Sequence, residues 1–282
     1  MTEQLMRVDA PVAELGEGPV WADGEQALYW LDIPADQVHR MAAGGQLTSW
    51  DVGQPVGTVV PRASGGLALA AQDGFMAMDQ ATGTLSLLAA VEPDRPENRM
   101  NDGACDRAGR FFAGTMADDE RPGAGALYRL DPDLTVTTML TGTGISNGIG
   151  WSPDERLMYY VDSLTYQVDV FDYDPATGAI DGRRRFAAVG QGDVMPDGLT
   201  VDADGGVWVA VWGGGALLHH DPAGRLRQTI EVPAAHVTSC VFGGPDLDRL
   251  YITTAAGDGA GAGALFVTEP GVTGQLSHPF RG

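Results

Sequence analysis

A chain of 282 residues, 44% hydrophobic with 40 Gly, 17 Pro and 2 Cys, is long enough to bury a full core and too apolar to remain disordered. Its 38 acidic residues outweigh 17 basic ones, and all 17 are Arg. With no Lys present, Schiff-base, pyridoxal-phosphate and Walker-type phosphate chemistry are excluded, and the net charge of −21 disfavours nucleic acid and membrane surfaces while leaving cations and neutral small molecules open.

The opening stretch, Met1 to Gly16, lacks the basic start and apolar centre of a secretory leader, and no window approaches the ~18 apolar residues of a membrane span. A soluble, cytoplasmic protein is expected. Beyond it, short runs rich in Val, Leu, Tyr and Trp are separated by two recurring turns, and no ten-residue stretch keeps a helical period free of Gly or Pro. The first turn is a corner at Asp23-Gly24, Gly65-Gly66, Arg107-Ala108-Gly109, Pro153-Asp154, Asp204-Gly205 and Pro245-Asp246. The second follows later in each unit, at Ala43-Gly44-Gly45, Asp79 to Gly83, Asp131-Pro132-Asp133, Asp174 to Gly178, Asp221 to Gly224 and Glu269-Pro270-Gly271. Asp, Pro and Gly are the residues that tight turns require.

Six units of about 47 residues match the length of a four-stranded propeller blade. The expected fold is all-β: one domain over residues 1–282, a six-bladed β-propeller with four-stranded antiparallel blades around a central channel. Leu157 to Val161 and Val207 to Val211 read as buried second strands, and Leu5 to Val8 as a strand that completes the last blade and covers its edge. Cys105 and Cys240 fall in blades three and six, on opposite sides of the ring, and are expected to be free, buried thiols.

Aligned on their first corners, the units place Glu17, Gly57, Asn101, Asn147, Asp197 and Ser239 at one equivalent position. The innermost strands of a propeller line its channel, so these six residues should converge there. Two carboxylates so placed repel, unless one takes up a proton or a divalent cation lets both stay ionised. The donors are all oxygen, which suits Ca²⁺, Mg²⁺ or Mn²⁺ better than a structural Zn²⁺. One Glu, one Asn and one Asp make a sparse shell with positions left for water or substrate.

These strings also resemble a known family, the senescence marker protein, gluconolactonase and regucalcin group of six-bladed propellers. The pieces that carry the resemblance are Leu15 to Trp21, Asn98 to Gly103, Gly109 to Met116, Ser146 to Gly148, Tyr159 to Ser163 and Pro196 to Leu199, in that order. It implies that Glu17, Asn147 and Asp197 bind one divalent metal ion, with calcium placed first and magnesium, manganese, zinc or iron as alternatives. It implies too that Arg99 and Asn101 hold the hydroxyls of a sugar lactone, and that Asp119, where Glu is usual, contacts substrate.

The expected activity is opening of an aldonolactone such as gluconolactone, with the metal polarising the carbonyl and activating water and Asp197 as general base. The alternatives are an esterase or organophosphate hydrolase on the same metal and a non-enzymatic, calcium-binding regulatory propeller. The partner is the small-molecule lactone; the oligomeric state, monomer or weak dimer, is left open. His219-His220 and the six Trp read as packing, and Arg183-Arg184-Arg185 as a solvated, turn-like stretch. Ser146 lacks the setting of a nucleophile elbow. The segment Ala255 to Gly263 is expected at the pocket rim.

Overall fold

The recurring Asp, Pro and Gly turns of the sequence coincide with strand ends. The computed structural model describes residues 4–282; the first three residues of the stretch read above for a leader lie outside the described residues. Six four-stranded antiparallel sheets follow one another. Each is a blade whose innermost strands are Gly16–Ala22, Val56–Pro61, Asn98–Cys105, Ser146–Trp151, Met195–Val201 and Val237–Gly243. The fold is the expected six-bladed propeller.

All six first-type corners join an innermost strand to the next strand out, and five second-type turns join third to fourth strands. Both kinds therefore lie at one end of the disc, the corner end. The connections between second and third strands, and between blades, gather at the opposite end, where the innermost strands begin. The sixth second-type turn differs: Glu269-Pro270-Gly271 sends the chain away from its blade, because the fourth place there belongs to Met6–Arg7, paired with Val267 and Phe266. This is the ring closure expected of Leu5 to Val8. The tail then straps the corner end. Gly274 bridges Asp202, Gln275 Nε2 donates to Trp151 O at 3.0 Å, Phe280 N donates to Pro61 O at 2.9 Å, and Arg62 Nη2 donates to Gly282 O at 2.9 Å.

Packing follows from the two-residue period of a strand. In the second strand of blade five, Val207, Val209 and Val211 pack toward blade four while Trp208 and Ala210 pack toward blade six. In blade four, Tyr159 and Val161 face blade five and Met158 and Tyr160 face blade three. Both faces are buried, so these runs are apolar throughout, each large side chain contributing about 1.5–3 kcal/mol. Fourth strands such as Leu47–Asp51 alternate between exposed and half-buried residues because only one face packs against protein. Cys105 and Cys240 are free and buried. His219 stacks on Trp208 at 4.0 Å and is a packing residue. Arg183-Arg184-Arg185, expected in a turn, lies instead within the strand Ala179–Ala188; the run is mostly exposed, and Arg183 pairs with buried Asp169 at 2.6 Å.

Candidate metal centre at the hub

Each innermost strand falls out of register with its neighbour once. The steps lie between Glu17 and Val20, Val56 and Thr58, Met100 and Gly103, Ser146 and Ile149, Pro196 and Leu199, and Val237 and Ser239. Such bulges re-aim side chains that a regular pleat would send elsewhere. Gly57, Asn101, Asn147 and Asp197 sit inside these steps, and Glu17 opens the first. In blade six the extra residue is Thr238 rather than Ser239, since Ser239 still pairs with Thr253. Thr238 Oγ1 donates to Gly16 O at 2.5 Å and so ties the last blade to the first. The glycine that recurs at this level is steric in origin: a Cβ on Gly148 would lie 2.5 Å from Leu199 N and 2.8 Å from Asp197 O. Neighbouring backbones approach too closely for a side chain.

Glu17, Asn147 and Asp197 are 6%, 4% and 5% exposed. Asn147 Nδ2 donates to Asp197 Oδ1 and, at 3.2 Å, to Ser163 Oγ. Asn147 Oδ1 is buried without a partner. Glu17 Oε2 accepts from the Gly18 N–H at 2.9 Å. Burial pushes the Glu17 carboxyl well above the usual carboxylate range, and the nearby charges of Asp197 and Asp102 add to it. Asp197 is raised likewise, by burial first and then by Asp102, against the weaker opposing effects of Asn147, the Gly198 N–H and Arg99.

Asp102 is a third acid that sequence reasoning passed over. It is buried, its Oδ1 accepts from the Gly103 N–H at 2.7 Å, and burial raises its proton affinity. Strict alternation assigns Asn101 and Asp102 to opposite faces; the step between Met100 and Gly103 brings both into the hub. The signal was the Asn-Asp-Gly string at a ring position.

Arg99 is the cation nearest these acids in the interaction network. It is half-buried, its proton affinity lowered by burial and sustained by Asp118, Glu17, Glu120 and Asp197. Its Nη1 donates to Asn101 Oδ1 at 2.7 Å and to Met100 O at 3.2 Å. Asn101 Nδ2 donates in turn to Ser146 O at 2.9 Å, and its own carbonyl accepts from Thr58 Oγ1 at 2.8 Å. Asn101 thus joins blades two, three and four. Asp119 stands apart from this group, exposed on the connection after Phe111–Ala117, with its Oδ1 3.0 Å from Arg121 Nη1. Below the hub a cavity of ≈ 140 Å³ runs toward the corner end, lined by Thr58, Asp102, Ser239, Cys240 and the strap residues Leu276 and His278.

Among the described residues no three His, Cys, Asp or Glu side chains are grouped closely enough to hold a metal by themselves. An ion at the hub would need oxygens from other side chains as well, and the amide oxygen of Asn147, buried without a partner, could serve as one. Two acids raised by burial and by neighbouring negative charge, together with an unused carbonyl oxygen, are a donor set that could hold a hard divalent cation.

Residues 15–256 match the family model described as the SMP-30/Gluconolactonase/LRE-like region, and the chain belongs to that family. It is 40% identical to the regucalcin of Gallus gallus over 285 residues, 95% of each chain. Among solved structures it is similar to a calcium-binding protein, regucalcin, from Agrobacterium tumefaciens, with a TM-score of 0.93 and 29% identity over 98% of this chain and 96% of that one. It is also similar to a gluconolactonase from Xanthomonas campestris, with a TM-score of 0.79 and 25% identity over 95% and 89%. Among the described residues no helix is long and apolar enough to cross a membrane.

Proposed function

We propose that this member of the family is a divalent-metal-dependent hydrolase that opens the ring of a sugar-acid lactone, such as gluconolactone, to the free acid. The observation that carries the reading is the unpartnered, buried Oδ1 of Asn147, a residue whose amide nitrogen meets Asp197, which like Glu17 is an acid raised by burial. Glu17, Asn147 and Asp197 would hold the ion, calcium first among the candidates, and when bound it supplies Lewis acidity toward a carbonyl oxygen and toward water.

The chain's own residues supply the rest. Asp197, its Oδ1 held by the Asn147 amide, would take the proton of the attacking water. Arg99, held against Asn101 at 2.7 Å, presents its remaining donors to the ring hydroxyls from the end where the innermost strands begin. Asp119, on the exposed connection beyond Ala117, supplies an outer contact once it leaves Arg121. A guanidinium in this position favours a hydroxylated or anionic substrate over an apolar ester or an organophosphate.

The description of the Agrobacterium tumefaciens relative as a calcium-binding protein favours one second reading, calcium binding without turnover. A pH-indicator assay over a panel of aldonolactones, run on metal-stripped protein with single cations restored, separates the two. Turnover that appears only with a restored cation supports the lactonase. Cation binding with no turnover on any lactone supports the second reading, and undiminished turnover after stripping overturns the metal-dependent mechanism.

A further inference from the structure

The Tyr159 to Ser163 string enters none of the roles assigned above, yet its last two residues stand directly behind Asn147. Asp162 ends the second strand of blade four, and its carboxylate accepts from the N–H groups of Gly144 at 3.0 Å and Ile145 at 3.1 Å, the residues that lead into the strand bearing Asn147. Blade one repeats the device: Asp32 accepts from Glu14 and Leu15, both at 3.0 Å, just ahead of Glu17. The following residue bonds the same way in both blades, Ile33 N to Leu15 O at 3.1 Å and Ser163 N to Ile145 O at 3.0 Å. The two connections differ in the side chain, isoleucine in blade one and serine in blade four.

The difference follows from what each connection supports. A carboxylate such as Glu17 presents oxygen whichever way it turns. A carboxamide has one oxygen face and one nitrogen face, and only the oxygen can ligate a cation. When ionised, as beside a bound cation, the Asp197 carboxylate accepts and cannot donate, so Asn147 turns its nitrogen toward it. That uses one amide hydrogen; the second goes to Ser163 Oγ, itself buried.

We propose that Ser163 is a positioning residue for the metal centre: by accepting the second amide hydrogen of Asn147 it leaves only Oδ1 facing the hub. The proposal rests on the hub being a cation site. Without the hydroxyl, one Asn147 N–H is unpartnered in a buried setting and the amide loses half of what fixes its sense.

Calcium titration of metal-stripped protein by calorimetry tests it. Ser163→Ala should raise the dissociation constant about 3- to 10-fold, the value of one hydrogen bond, and Ser163→Thr, which keeps the hydroxyl, should restore most of the affinity. The calcium concentration for half-maximal lactone turnover should move by the same factor while kcat at saturating calcium stays within about twofold. Wild-type affinity in Ser163→Ala overturns the proposal while leaving the cation site standing, whereas a wild-type protein that binds no calcium overturns both. Should Ser163→Ala fail to fold, the side-chain amide resonance of Asn147 in the wild-type protein decides: two slowly exchanging protons support the assignment, and one freely exchanging proton overturns it.

Discussion

Asp197 and Asp202 lie five residues apart, one inside the innermost strand of blade five and one just past its end, and both are buried. Asp202 is saturated with donors. Its Oδ1 accepts from the Asp204 N–H at 3.0 Å and the Gly206 N–H at 2.7 Å, and its Oδ2 accepts from Trp208 Nε1 at 2.9 Å and lies 3.2 Å from His219 Nε2. Burial alone would raise its carboxyl, but His219, Trp208 and the Gly206 N–H outweigh it and hold Asp202 below the usual carboxylate range. Asp197 has the Asn147 amide and the Gly198 N–H, too little to offset burial and the charge of Asp102, so it is raised instead. A buried acid with a full complement of donors is part of the architecture, and one left short of them has oxygen to offer a ligand.

The largest expected effect is at the acid short of donors. Asp197→Asn keeps the shape but removes the proposed base and one of the two charged ligands, so kcat/KM on the best lactone should fall by about 10³-fold, within the range of lost general-base catalysis. The metal-free protein should melt no lower than wild type, because a repulsive charge has gone. Activity within tenfold of wild type would show that another group takes the proton.

Asp202→Asn should behave in the opposite way. It turns an acceptor-only group into one whose nitrogen must face a donor, and breaking a buried charged network of this kind costs about 3 kcal/mol. Urea unfolding should show that loss, while turnover of the folded variant at low temperature stays within about twofold. A variant that kept its stability and lost kcat would reverse the contrast between the two acids. Third in size is Arg99→Met, which should raise KM about tenfold with a smaller change in kcat, since the guanidinium orients substrate and takes no part in proton transfer.

The two ends of the disc were unequally legible in the sequence. Corner-end turns are local chemistry, Asp, Pro and Gly recurring at one spacing, and the six corners emerge where the repeat puts them. Glu17, Asn147 and Asp197 were readable as equivalent positions for the same reason, each carrying the same short string. The register steps were not readable, because a bulge depends on the partner strand; alternation therefore gave no hint of Asp102, and alignment on corners chose Ser239 where the ladder inserts Thr238. Nor was the closing strap, whose bonds join residues 124 and 220 positions apart and follow no period. Ser163 was visible as part of a string, but the link from its hydroxyl to Asn147 crosses from the turn after one strand to the neighbouring strand and has no sequence signature.

The smallest expected effect isolates the proton that a cation must displace. Glu17, Asp102 and Asp197 are raised in the folded, metal-free protein, so between the ordinary carboxylate range and their raised values the native state holds more protons than the unfolded one. Unfolding free energy from these groups therefore falls as pH rises through that window. Asp202 has the opposite sign: its contribution is present above the ordinary range and is lost only as pH falls through its depressed value, outside the same window. His39, His220 and His278, lowered chiefly by burial, also lose stability as pH falls, but calcium at the hub leaves their contribution unchanged. The useful quantity is thus the difference in Tm with and without calcium, from which the histidines and Asp202 cancel. It should grow with pH by about 2 °C per pH unit for each proton displaced, and Asp197→Asn should flatten the slope. A calcium-induced shift independent of pH would mean that the ion binds away from these acids.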